Sequence, residues 1–300
     1  ENFQPFILIS VILSFALIPI LLTKRKPPNF KKIQAMSLSE LYKTSPLGMV
    51  GALLYGTTQS ALFMLLAVYA ASMNFTILEI SFVTFLLGIS GAISQYPIGY
   101  FSDKLDRRLV LIYSTFGAAL FALCAIYASS SMHFLSAYGV NKIWFYIFLT
   151  LFAFCSLPMF SLILAHTNDS INKERFVAAG AGLQFVFGMG AMSGPFLCSL
   201  LMDFVGPNGF FVFHIFFHML IGIFGIYRMK IRIVDENPDV QFVPVPQTIT
   251  PVGLELNPIT EHIEEPYTDK VKNMLDRKGV SYKKEDKLNE ETDTLSAKNK

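Results

Sequence analysis

The chain has 300 residues, a net charge of +2, 53% hydrophobic residues including 29 phenylalanines, only 15% charged residues and a mean hydropathy of +0.48. The charge is unevenly placed: residues 1–231 carry 14 Lys/Arg against 8 Asp/Glu, and residues 232–300 carry 10 against 14. A soluble domain cannot hide so much apolar surface, and so small and scattered a charge does not suit nucleic acid, which leaves an integral membrane protein with a polar, acidic tail.

A helix crosses the hydrocarbon core with about 20 mostly apolar residues. Seven runs reach that length, at 5–22, 47–72, 77–101, 109–128, 142–165, 177–202 and 209–228, and none has a charge at its middle. The runs are continuously apolar, without the period-two alternation of transmembrane barrel strands, so the fold class is all-α integral membrane. Between the first and second runs lies a basic connector over 23–46, with Lys26-Pro27-Pro28, that reads as a link between two bundles of helices. Residues 1–22 then close one bundle, and 47–231 form a six-helix bundle of their own. After Arg232 the chain passes six prolines and becomes Lys/Glu-rich, which predicts a mostly disordered tail over 232–300 with a helical turn or two near Tyr267–Lys278.

The loops set an orientation. Lys24, Arg25, Lys26, Lys31, Lys32 and Lys43 follow the first run; Lys104, Arg107 and Arg108 follow the third; Lys173 and Arg175 follow the fifth; Arg228, Lys230 and Arg232 close the seventh. The alternate loops hold only Lys142. By the positive-inside rule the basic loops and the tail are cytoplasmic and Glu1 is outside, in a multi-pass protein of the inner membrane. A chain that starts outside with no signal peptide needs an odd number of spans before it, so Glu1 is expected to follow further helices of a longer protein. Cys124, Cys155 and Cys198 lie inside apolar runs and read as small packed hydrophobes.

The third run ends Gly99-Tyr100-Phe101-Ser102-Asp103-Lys104-Leu105-Asp106-Arg107-Arg108. This resembles the loop signature G-x-x-x-D-R/K-x-G-R-R/K of the major facilitator superfamily, found between the second and third helices of each six-helix half. It stands here between the second and third runs after the basic link, and it departs at Asp106, where the family usually has Gly. Gly190-Ala191-Met192-Ser193-Gly194-Pro195 resembles the G-x-x-x-G-P stretch of drug:proton antiporters, and the run from Pro46 to Tyr69 with the loop resembles an uncharacterised bacterial branch of the superfamily. The resemblance implies helices six to twelve of a twelve-helix transporter, whose partners are the lipid bilayer, a small-molecule substrate, protons if transport is proton-coupled, and the upstream helices of the same chain. It implies no cofactor. It also assigns Asp103, Lys104, Arg107 and Arg108, with Gly99, to a loop that latches and releases the two bundles.

Polar side chains inside the membrane point to a pathway, because each has a desolvation cost. Tyr55 and Gln59, one turn apart, Gln95 and Gln184 are the candidates for the substrate cavity, each with interhelical hydrogen bonding as the alternative. Gly190 and Gly194 form a small-xxx-small step for close packing, and Pro195 permits a bend or gate. Phe152, Phe154 and Phe160 suit an apolar cavity or, more in keeping with the abundance of phenylalanine, contact with lipid. His214 and His218 have a metal-compatible spacing but no third ligand, which favours interhelical hydrogen bonds and no metal. No carboxylate falls at mid-membrane, so if transport is proton-coupled the titrating acid is expected in the upstream half. The function expected is secondary transport of a small molecule. The alternative is a seven-helix receptor-like binding protein, in which the basic link and the loop signature would have no role. Intramembrane catalysis lacks its paired acids or Ser/His groups, so no enzyme is expected.

Overall fold

The computed structural model of the chain describes residues 3–22, 36–135 and 141–231; the tail over 232–300 and most of the 23–46 connector lie outside the described residues. Every regular element among the described residues is helical: α1 Gln4–Leu22, α2 Leu38–Thr44, α3 Pro46–Ser72, α4 Ile77–Lys104, α5 Arg107–Leu135, α6 Asn141–Ser156, α7 Met159–Asn168, α8 Phe176–Val205 and α9 Gly209–Ile231. Six stretches are long and apolar enough to cross a membrane: α3, α4, α8, α9, the Arg107–Ser130 part of α5, and Lys142–Asn168, which joins α6 to α7. Helix α1 adds 19 residues, about 28 Å at a rise of 1.5 Å each, with Phe6, Leu8, Leu13 and Phe15 more than half exposed.

Local chemistry sets the helix ends. Ser37 accepts the Glu40 amide at the start of α2, and Ser45 accepts the Gly48 amide at the start of α3, where Pro46 occupies a position whose N–H has no helical partner. Thr76 and Glu79 form a reciprocal capping box on α4. The fifth apolar run is a single segment by composition, yet it is divided at Leu157-Pro158 into α6 and α7. The proline ring lacks an N–H and clashes with the turn before it, so the helix restarts instead of merely bending.

Because the helices alternate in direction, the starts of α3, α5 and α8 gather with the ends of α4, α7 and α9. Arg107 bridges to Asp169 there and Ser45 lies 3.3 Å from Thr167. This is the basic end. The far end is closed by Lys142 paired with Glu79 and by Ser129, which donates to Asn208 over 3.0 Å. Between them the bundle is filled by aromatic rings. Tyr69 stacks on Phe210 at 5.1 Å and meets Phe211 edge-on, and Phe145 and Phe152 close the same cluster. Phe152 and Phe160, suited on composition to lipid, are 0% and 2% exposed: both face neighbouring helices inside the bundle. Of the cysteines, Cys198 is buried and Cys124 and Cys155 are part-buried, all as free thiols.

Helices α3 and α8 touch backbone to backbone. A Cβ added at Gly190 would lie 2.0 Å from the Leu53 carbonyl oxygen, one at Gly194 2.0 Å from that of Thr57, and one at Gly56 2.1 Å from that of Phe187. No side chain could move aside to relieve these contacts. Gly188, on the same helix, has nothing within 4 Å of its added Cβ. Gly190→Ala and Gly194→Ala should therefore each destabilise the purified full-length protein by about 2 kcal/mol or more, read as a lower melting temperature in detergent. Gly188→Ala should leave it unchanged or slightly raised. Equal melting temperatures for all three variants would mean that the close contact is not present.

Candidate functional site

Only Leu105 and Asp106 separate α4 from α5. The Asp106 carboxylate accepts the Arg108 backbone N–H at 2.8 Å, which caps the first turn of α5. It also receives the Arg108 side chain, from Nε at 3.0 Å and from Nη2 at 2.7 Å. The acid that departs from the loop signature thus has a structural task that glycine could not perform. Burial pushes the Asp106 carboxyl up, and the Arg108 hydrogen bonds outweigh that, so it titrates below the ordinary carboxylate range.

Arg107 turns the other way. Its Nη2 lies 3.2 Å from Asp103 at the end of α4, and its Nε lies 3.4 Å from Asp169, just past α7. Its side chain is 8% exposed and that of Asp169 is 5% exposed, against 36% for Asp103. One guanidinium therefore joins the ends of three helices, two of its neighbours being acids of opposite exposure. Lys104 folds back over the Tyr100 ring, 4.2 Å from its centroid, and donates to its hydroxyl. Gly99 is buried one turn before Asp103. Nearby, Arg175 donates to Glu40 over 2.6 Å, and this hydrogen bond holds the Glu40 carboxyl below its usual range. Asp169 is the member that the sequence did not single out as a partner. The available signal was its position, an acid in the next basic-end loop.

The intramembrane candidates divide. Tyr55 is fully buried and its hydroxyl donates to the Leu157 carbonyl at 3.0 Å, at the break between α6 and α7. Its ring is 6.0 Å from that of Phe187 on α8. Gln59, one turn on, is 2% exposed, and neither its Nε2 nor its Oε1 has a hydrogen-bond partner among the described residues. Gln184 is half-buried on α8 one turn before Phe187, and Pro195 follows Gly194 in the same helix. Gln95 is half-buried on α4, one turn beyond Gly91, against which Leu157 packs. Tyr55 and the Gly91 turn thus flank the helix break.

The histidines bond between helices. His218 Nε2 is 2.9 Å from the Ser156 hydroxyl, and His214 Nε2 is 3.1 Å from the Thr58 carbonyl. Among the described residues no three His, Cys, Asp or Glu side chains gather as metal ligands.

The arrangement is a compact helical bundle with a charge-bonded basic end and a polar break between α3, α4 and the α6–α7 junction. The Major Facilitator Superfamily profile matches residues 3–140 and 48–256. An uncharacterized MFS-type transporter of Yersinia enterocolitica is 23% identical over 238 residues, covering 79% of this chain and 56% of that protein. A similar transporter of Escherichia fergusonii is 20% identical over 206 residues, covering 68% and 50%, and one of Yersinia pestis is 24% identical over 202 residues, covering 67% and 47%. The chain spans about half the length of the curated relatives it matches. No solved structure matches it. With the loop signature in place, membrane-length helices along the bundle and the profile matched over most of its length, the chain belongs to the major facilitator superfamily.

Proposed function

We propose that this chain forms the C-terminal bundle, the preceding helix and the inter-bundle link of a secondary active transporter that moves a small molecule across the inner membrane by alternating access. In this reading α1 ends the first bundle, α3 to α9 form the second, and the basic end faces the cytoplasm. A twofold architecture of this kind rocks about a site near the midplane. The observation that carries the reading is the division of labour at the α4–α5 turn. Arg107 is bonded within its own bundle, to nearly buried Asp169, while Asp103 presents its carboxylate at the surface. Arg107 braces the turn and Asp103 meets the opposite bundle, an ion pair that forms and breaks as the bundles rock.

The substrate is contacted from this half near the break at Leu157-Pro158, where a restarted helix and polar side chains interrupt the apolar packing. Tyr55, Gln59, Gln95 and Gln184 are the candidates. All carboxylates among the described residues lie near helix ends, so proton coupling, whether for efflux or uptake, draws its acid from the upstream bundle.

Two variants of the full-length protein separate bracing from latching. Asp103→Asn leaves Arg107 held by Asp169 and should change stability by about 1 kcal/mol or less, yet reduce transport to background at normal membrane levels. Asp169→Asn removes the nearly buried acid paired with Arg107 and should lower the melting temperature clearly more than Asp103→Asn. Transport is read by mass spectrometry as solutes whose cellular content changes on expression of the wild-type protein. No such solute, or wild-type movement by Asp103→Asn, would overturn the reading.

The orientation has its own test in a background lacking the three native cysteines. Pro207→Cys at the far end should react with a membrane-impermeant maleimide in intact cells, and Asn172→Cys at the basic end only after permeabilisation. The reverse pattern would invert the topology.

A further inference from the structure

At the basic end a narrow cleft opens between the start of α3, the start of α5, the end of α7 and the last turn of α9. Ser45, Leu47, Arg108, His166, Ser170 and Arg228 line it. Ser45 and His166 are 2% and 6% exposed, so the floor is built of buried polar groups. We propose that this cleft is a binding site for a phosphate-type oxyanion, with Arg228 as its principal ligand.

Charge favours an anion here. Asp106 is engaged by Arg108, and Asp103 and Asp169 flank Arg107. Arg228 is half-buried and has no carboxylate or other hydrogen-bond partner among the described residues. A guanidinium withdrawn part-way from water keeps its hydration cost until an anion supplies the missing bonds, and a planar fork of donors suits phosphate oxygens. The cleft also receives the N-terminus of the 27-residue α3, whose aligned peptide dipoles favour negative charge. The Asp106 carboxylate beside His166 opposes an incoming anion, and its bidentate pairing with Arg108 blunts that repulsion.

Size sets how the ligand enters. The enclosed space is about 20 Å³, and a single water-sized group takes roughly 10–15 Å³ of such space. One anion oxygen fits and a whole solute does not. The ligand therefore enters tip-first, with the rest of it outside the mouth. Ile223 and Tyr227 are exposed on α9 within the two turns around Arg228, an apolar flank of that helix along which an acyl chain below a phosphate would lie. Free phosphate offers the same oxygens without using this flank.

The test uses the full-length protein purified in neutral detergent, with phosphatidylglycerol, phosphatidylcholine and inorganic phosphate at matched ionic strength as probes. Melting temperature and lipid retained in native mass spectrometry are the readouts. Phosphatidylglycerol should be retained and should raise the melting temperature where phosphatidylcholine does not. Arg228→Gln should weaken that response by roughly tenfold or more, Arg228→Lys should keep part of it, and Lys230→Gln, on the exposed side of the same turn, should keep it all. A response to inorganic phosphate that is lost in Arg228→Gln supports the site with a soluble anion as its source. If neither probe acts on the wild-type protein, or if Arg228→Gln and Lys230→Gln respond as the wild type does, the proposal fails. Should Arg228→Gln not fold, equal responses of Arg228→Lys and the wild type to both probes, together with a reduced response of Lys230→Gln, would overturn it.

Discussion

Helices in hydrocarbon gain nothing by hiding apolar side chains from a solvent that is itself apolar, so this bundle depends on close van der Waals approach and on polar groups that find partners inside it. The crossing of α3 and α8 is the clearest case. Gly56, Gly190 and Gly194 bring carbonyl oxygens of each helix against the bare backbone of the other, within a distance that any side chain would forbid. A second group packs beside that pair, with α5 against α6 and α9 and α4 against α6. The alanines of α5, with Ala118, Ala122 and Ala125 buried, provide the same closeness for α6 and α9.

Hydrogen bonds between helices add direction to packing that van der Waals contact leaves unspecific. Tyr55 to Leu157, Ser90 to Thr150, Ser156 to His218 and His214 to Thr58 each tie a side chain to a neighbouring helix. Two of them converge on the stretch around Pro158. A proline in mid-membrane frees backbone groups that water would satisfy in a soluble protein, and here side chains of neighbouring helices reach the same turn. The place where the helix is interrupted is accordingly also one where buried polar side chains of neighbouring helices meet, as the proposed substrate contact requires.

At the basic end a different balance holds. Charges lie at the boundary between hydrocarbon and water, where desolvation is partial and pairing is selective. Arg108 is consumed by the residue that caps its own helix, and Arg107 is consumed by bracing, which separates two arginines that are adjacent in sequence into unrelated tasks. What they leave over is Arg228, from the last turn of α9, which lines the same cleft as Arg108. The proposed latching and the proposed anion binding thus draw on different residues of one charged layer.

Composition and pattern alone determined the class, the loop and six spans of membrane length. An uninterrupted apolar run of membrane length admits one backbone solution, and the spacing of Gly99, Asp103, Arg107 and Arg108 is local, so both are readable along the chain. The glycines of α8 could be named from their spacing, but that they meet α3 could not, since a small residue announces close approach without saying to what. Likewise Phe152 and Phe160 look the same to a hydropathy count whether they face lipid or protein, and only the packing turned them inward. The Asp169 partner of Arg107, the cap made by Asp106, the Leu157 acceptor of Tyr55 and the isolation of Arg228 were decided by tertiary structure alone. Each depends on which residues the three-dimensional arrangement brings within a few ångströms of one another, a distance that sequence separation does not measure.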